Sequence, residues 1–161
     1  MTTKIKNKTT ALDVAFYFLK KGSDEKKPIT NKKLQKLVYY AQAWSLAIND
    51  EKLFSEKIEA WVHGPAVPSL YKRFKEFGSQ PISLKTEELS FNFTKKQEKL
   101  LENIWRVYGK YPADYLEALT HSELPWQEAR NDIPISKPSN NTIKLEIIKE
   151  FYVRKLRESS K

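Results

Sequence analysis

Apolar residues recur every three or four positions along most of the chain, which places them on one face of an α-helix. Thr, Asn or Pro residues at the starts of these runs and glycines at the ends set their bounds. The pattern predicts helices at about residues 12–22, 31–48, 68–77, 95–108, 112–119 and 143–157. Glycine is scarce, so we expect a mainly α fold in one compact domain, residues 1–161, with 1–10 as a flexible tail.

A minor β element interrupts the helical pattern. Apolar and polar residues alternate within residues 56–62, which predicts a short strand, and residues 89–93 are a second candidate strand. His63, Gly64 and Pro65 follow the first strand and are predicted to form a turn. The reason is that a residue before proline is kept out of the right-handed helical region.

The helical stripes also predict which side chains face the core. In the second helix the predicted stripe consists of Leu34, Leu37, Val38, Ala41, Ser45 and Ile48. Later helices are expected to turn Tyr71, Tyr115 and Tyr152 inward. We therefore expect most aromatic side chains to stabilise the core rather than the surface.

The chain carries a formal net charge of +9, which raises the question of nucleic-acid or acidic protein partners. The lysines are scattered, so a solvated basic surface is the simpler interpretation. One helix interleaves lysines with rings that stack on bases when exposed, at Lys33, Lys36, Tyr39, Tyr40 and Trp44, although aromatics at helical spacing more often lie in cores. A nucleic-acid-binding regulator, with weak DNA binding through the basic surface, is the alternative function.

The chain has no cysteine, which excludes disulfides and thiolate metal sites and fits a reducing compartment. Residues 1–10 are polar and lysine-rich, unlike a secretory signal. No run approaches the ~18 apolar residues of a membrane span. We expect a cytoplasmic protein.

Candidate chemistry is sparse. The only histidines are His63 and His121, and their spacing matches no zinc motif, so neither a metal nor another cofactor is expected. His121 stands among Thr120, Ser122 and Glu123, a cluster that offers a nucleophile and a base. Catalytic partners usually converge from separate elements of the fold. The preferred interpretation is therefore not an enzyme but a buried His121 that caps the end of its helix through a hydrogen bond to a carbonyl.

Two longer segments resemble a known family. Residues 33–44, K-L-Q-K-L-V-Y-Y-A-Q-A-W, and residues 58–74, I-E-A-W-V-H-G-P-A-V-P-S-L-Y-K-R-F, resemble the Panacea domain of the SocA-like antitoxins, which includes phage-associated GepA-type proteins. The T-H-S-E-L-P-W run at 120–126 continues the resemblance in the same order. It covers about residues 12–152.

The resemblance implies motif residues that serve partner binding or hold the fold together. They are Gln35, Lys36, Tyr39, Tyr40, Trp44, Trp61, Gly64, Pro65, Tyr71, His121 and Trp126. The family often has an aromatic residue where this chain has His63 and a valine where it has Ala66.

The implied function is that of an antitoxin, and no catalytic residue is implied. Members of the family neutralise toxins that are encoded beside them, so the implied partner is a cognate toxin protein. At least one relative is an adaptor that delivers its toxin to a AAA+ protease, which makes such a protease a second implied partner. Direct binding and proteolytic delivery both stay open.

Overall fold

The computed structural model describes residues 8–85, 89 and 91–159, so most of the predicted tail lies outside the described residues. Within this part of the chain, seven α-helices surround one hydrophobic core, and a small antiparallel hairpin is the only sheet, as the mainly α prediction expected. The helices are α1 (Ala11–Asp24), α2 (Asn31–Asn49), α3 (Pro68–Phe74), α4 (Lys95–Tyr108), α5 (Ala113–His121), α6 (Leu124–Arg130) and α7 (Leu145–Ser159). The strands are β1 (Glu59–Trp61) and β2 (Gly64–Ala66).

Helix α2 is the centre of the fold. It packs against α1, α3, α4, α5, α7 and β2, and its side chains are buried on every face. A helix that is apolar on more than one face has this central position in a globular protein. One prediction is corrected near its C-terminal end: Ile48, expected in the core stripe, is 53% exposed. Lys33, in the first turn, is buried.

Helix starts follow the capping chemistry of the sequence. Thr94 accepts a hydrogen bond from the Gln97 backbone N–H at 3.1 Å, and the Gln97 side chain accepts one from the Thr94 N–H at 3.0 Å. This reciprocal pair is a capping box, a sequence pattern that marks the start of a helix. Thr30 caps α2 by accepting a hydrogen bond from the Lys33 N–H at 3.2 Å.

The hairpin pairs Glu59 with Ala66 and Trp61 with Gly64, so the predicted strand at 56–62 is confirmed in part. The turn predicted at residues 63–65 is wrong for two of its three residues, because Gly64 and Pro65 belong to β2. The turn consists of Val62 and His63. Gly64 has a φ of +109°. Glycine adopts such a positive φ without the steric cost of a side chain, so Gly64 can follow the turn directly and begin β2.

The second candidate strand does not form. Leu89 and residues 91–93 are irregular, and Ser90 lies outside the described residues. Phe91 and Phe93 instead lie edge-on to the Tyr17 ring, with centroid distances of 5.6 and 6.0 Å. The alternation therefore reflects packing against α1 rather than strand pairing.

Two predicted core tyrosines lie at the surface. Tyr115 is 47% exposed and stacks on Tyr111 at 4.2 Å, while Tyr71 is 38% exposed. Tyr152 is fully buried, as predicted. Among the described helices, none is both long and apolar enough to cross a lipid bilayer.

Candidate functional site

A cleft of about 850 Å³ opens between the start of α2, the hairpin, α3 and the loop at residues 138–140. We call it the hairpin cleft. Five of the sequence-predicted site residues line it: Gln35, Lys36, Trp61, Gly64 and Tyr71. Pro65 lies next to Gly64 in β2 and is buried. The cleft is thus the place where the structure brings the largest group of those residues together.

Gln35 ties α2 to the segment that follows the hairpin. Its Oε1 accepts a hydrogen bond from the Val67 backbone N–H at 2.8 Å, and its Nε2 donates to Asn31 Oδ1 at 3.0 Å. Asn31 Nδ2 in turn donates to the Tyr71 carbonyl at 3.1 Å. Both amides are buried, so each must be paired inside the protein. This chain of bonds fixes the first turns of α3 against α2.

Lys36 reaches the cleft from its buried side. The side chain is 2% exposed, and its Nζ donates to the Pro65 carbonyl at 3.1 Å. Burial lowers the pKa of Lys36 to about 7, while the nearby Glu117 carboxylate opposes that shift. A cation without a directly bonded carboxylate is costly in such a place, which explains why its charged form is disfavoured.

This burial predicts a pH-dependent stability. Between about pH 7 and the ordinary lysine pKa of 10.5, Lys36 is protonated in the unfolded chain but deprotonated in the folded protein. Stability from this group is therefore fully present above pH 10.5 and is lost as the pH falls towards 7. Urea unfolding from pH 7.5 to 9.5 should show wild type gaining about 1 kcal/mol per pH unit relative to Lys36→Met.

Lys72→Met is the matched control, because Lys72 is exposed on α3. It should keep the wild-type pH slope. Equal slopes for wild type and Lys36→Met would contradict the assignment.

Glu117 on α5 lies at one edge of the cleft, close to Lys32 and to both histidines. Lys32 Nζ contacts its Oε1, and His63 Nδ1 lies 3.1 Å from its Oε2. His121 Nε2 is 4.0 Å from the same Oε2. Partial burial raises the pKa of Glu117, but the hydrogen bonds from Lys32 and His63 outweigh burial and hold the pKa below its usual value. Both histidines of the chain therefore face one carboxylate.

His121 does not form the catalytic cluster considered from sequence. The Thr120 and Ser122 hydroxyls donate to the carbonyls of Glu117 and Leu119, at 2.8 and 2.6 Å. These hydroxyls, rather than the His121 ring, cap the end of α5, which corrects the capping prediction. The ring stacks on Trp126 at 4.0 Å, and burial lowers its pKa.

Trp126 supports the hairpin from the interior. Its Nε1 donates to the Trp61 carbonyl at 2.8 Å, and its ring is 4% exposed. The Trp126 ring thus joins α5 and α6 to β1 and reaches the cleft only through Trp61.

Tyr39, Tyr40 and Trp44 lie away from the cleft in a polar aromatic cluster. Glu123 Oε1 accepts hydrogen bonds from the hydroxyls of Tyr40 and Tyr152, both at 2.8 Å. Trp44 Nε1 donates to Tyr108 Oη at 2.8 Å. Base stacking by Tyr39 and Tyr40 requires exposed rings, and both rings are buried. The pKa of Glu123 is raised by burial, against the opposing effect of these hydroxyls.

Sequence reasoning missed two buried polar anchors. Gln42 is fully buried; its Oε1 accepts from the Leu53 N–H at 2.6 Å and its Nε2 donates to the Phe54 carbonyl at 2.8 Å. Arg130 is 2% exposed and donates to the carbonyls of Ala60, Pro134 and Lys137 at 3.1, 2.8 and 2.5 Å. Their bonds go to backbone carbonyls and amides in loops and in β1, from 4 to 70 positions away, and hydrophobic periodicity does not signal such contacts. Across residues 8–85, 89 and 91–159, no three His, Asp or Glu side chains converge as metal ligands.

Comparison with known proteins connects this architecture to a family. The family described as "Antitoxin SocA-like, Panacea domain" matches residues 34–127, more than half of the chain. The protein "Antitoxin SocA" of Caulobacter vibrioides (strain NA1000 / CB15N) is 32% identical over 129 residues, which is 73% of this chain and 69% of the relative. No solved structure matches the chain. The matched segment contains α2, the hairpin and α3, and the chain belongs to the SocA-like antitoxin family with a Panacea domain.

Proposed function

We propose that this protein is an antitoxin that neutralises a cognate toxin protein by binding it. The observation that supports the proposal most is the family match over residues 34–127, a segment that includes most of α2, the hairpin, α3 and most of the residues that line the hairpin cleft. A binding role needs a rigid surface and no reactive centre. The role is therefore non-enzymatic, and it is exercised in the cytoplasm.

Two mechanisms follow from such binding. The protein blocks the toxin directly, or it delivers the toxin to a AAA+ protease as an adaptor. Direct blocking requires a complex that persists, whereas an adaptor shortens the life of its cargo. The two mechanisms thus differ in the amount of toxin left in the cell.

The decisive experiment is co-expression with the product of the adjacent gene. Growth arrest by that product alone, relief by this protein and co-purification of the pair are the expected results. Toxin levels during a translation block then separate the mechanisms: stable toxin indicates direct blocking, and loss of toxin that needs the protease indicates delivery. A harmless gene product, or toxicity without relief and without a complex, would contradict the antitoxin role.

Regulation through nucleic acid is a second candidate because the net charge is +9. A groove on helix α7 carries Lys149, Arg154 and Arg157, but it also carries Glu146 and Glu150. Mixed signs weaken attraction to phosphates. A shift assay on the DNA upstream of the gene at ~150 mM salt tests this candidate, because purely electrostatic binding fades there.

The enzyme hypothesis has a simple test. His121→Ala should preserve neutralisation of the toxin, since the ring stacks on Trp126 and the neighbouring hydroxyls bond to helix carbonyls. Circular dichroism checks that the variant is folded. Full loss of neutralisation in a folded His121→Ala protein would revive a catalytic role.

A further inference from the structure

The outer wall of the hairpin cleft is a pair of aromatic rings held in fixed positions. Trp61 and Tyr71 meet edge to face with a centroid distance of 5.1 Å. Trp61 Nε1 donates to Glu59 Oε1 at 2.8 Å, and the Tyr71 carbonyl is held by Asn31 at 3.1 Å. Tyr71 stays 38% exposed despite this anchoring. Rigid, partly exposed Trp and Tyr side chains are typical anchors of protein interfaces, because little conformational entropy is lost when a partner covers them.

The inner wall of the cleft holds a buried amine, Lys36, that is positively charged below about pH 7 and has no carboxylate bonded to it among the described residues. Lys36 Nζ makes one described hydrogen bond, to the neutral carbonyl of Pro65, although an ammonium group has three donors. The carboxylate that acts on Lys36 is Glu117, which already contacts Lys32 and His63. Within residues 8–85, 89 and 91–159, no carboxylate is thus bonded to Lys36. An incoming carboxylate would supply the missing partner.

These two walls select the chemistry of an occupant. We propose that the hairpin cleft is the docking site for the protein partner, and that it takes a segment presenting a large apolar or aromatic side chain next to a carboxylate. The apolar group packs on Trp61 and Tyr71, and the carboxylate bonds to Lys36. The identity of the partner as a toxin rests on the proposed function, whereas the chemistry of the cleft does not.

Small probes test the chemistry without any partner. N-acetyl-L-tryptophan carries an aromatic ring and a carboxylate, and N-acetyl-L-tryptophanamide is its uncharged match. Both should be titrated into the full chain and followed by amide chemical shifts. At pH 6.5 we expect the acid to bind with millimolar affinity, at least about threefold more tightly than the amide, with shifts centred on Trp61, Gly64 and Tyr71.

Variants assign that difference to Lys36. Lys36→Met should make the two probes equal, while Lys72→Met, on the exposed face of α3, should keep the preference for the acid. Raising the pH from 6.5 to 8.5 should weaken acid binding several-fold in wild type only, because free Lys36 loses its proton near pH 7. Equal binding of acid and amide by wild type, or shifts away from the cleft, would overturn the proposal. Amide chemical shifts that change with protein concentration alone would instead indicate that a second copy of this chain occupies the cleft.

Failure of this inference is distinguishable from failure of the proposed function. Trp61→Ala and Lys36→Met should each reduce neutralisation and co-purification of the adjacent gene product at least about tenfold, with folding checked by circular dichroism. If both folded variants neutralise as wild type does, the docking site is wrong and the antitoxin role stands. If wild type neither binds nor neutralises that product but prefers the acidic probe, the antitoxin role fails and the chemistry of the cleft stands.

Discussion

Replacing Gly64 with alanine should destabilise the protein by about 3–5 kcal/mol. Two effects add at this position. The backbone φ of +109° is strained for any residue with a side chain. The new Cβ would also lie 2.6 Å from Lys36 Cε and 2.9 Å from Thr120 Oγ1. Neither neighbour is free to move, because Lys36 is bonded to Pro65 and Thr120 to the Glu117 carbonyl.

Gly78→Ala is the matched control for this prediction. Gly78 also has a positive φ, of +56°, but nothing lies within 4 Å of its added Cβ. The substitution there should cost about 1–3 kcal/mol, the backbone effect alone. Urea unfolding of both variants measures the difference. Similar losses for the two would mean that Lys36 and Thr120 move aside freely, and the close packing of β2 on α2 would then contribute little.

Helix positions were predictable because their causes are local. The Thr94–Gln97 capping box and the Thr30 cap each involve residues three apart, so they can be read from a short window of sequence. The apolar spacing of α2 was also visible. The same helix carries large apolar residues on several faces, which is the signal for a central helix, whereas the predicted core stripe covers only one of those faces.

The candidate site was less predictable because its contacts are distant in sequence. Gln35 bonds to Val67 and Lys36 to Pro65, across 32 and 29 positions. Periodicity carries no information about such pairs, so it cannot separate a polar residue that faces a cleft from one that joins two elements. The resemblance to the family supplies the motif residues, and the structure divides most of them between the hairpin cleft and the tyrosine cluster around Glu123.

The division has a consequence for function. Tyr39 and Tyr40 are buried in the core, so changes there should act on the whole fold and reduce binding through stability. Trp61 and Tyr71 are partly exposed, so changes there can act on binding directly. An alanine scan that measures both unfolding and neutralisation should therefore separate the motif residues into these two groups.

Arg130→Met should cost about 3–5 kcal/mol, the range for breaking a buried charged anchor. The guanidinium lies 5.0 Å from the Trp126 ring centroid and binds the carbonyls of Ala60, Pro134 and Lys137. Methionine fills much of the volume but leaves these acceptors unpaired. Arg130→Lys should lose less stability, because an ammonium group keeps the positive charge. It should still lose some, because the smaller ammonium group cannot span the three carbonyls. Arg154→Met, exposed on α7, should change stability by less than about 0.5 kcal/mol.

The Arg130 substitution should also loosen one wall of the hairpin cleft. Lys137 directly precedes Pro138, Ser139 and Asn140, which line the cleft, so its bond to Arg130 holds that loop in place. Amide hydrogen exchange in residues 137–141 should rise in Arg130→Met under conditions where α2 stays protected. Uniform acceleration over the whole chain would instead mean that Arg130 supports only global stability. A local effect would make Arg130 a positioning residue for the cleft, although its own side chain lies 2% exposed behind β1.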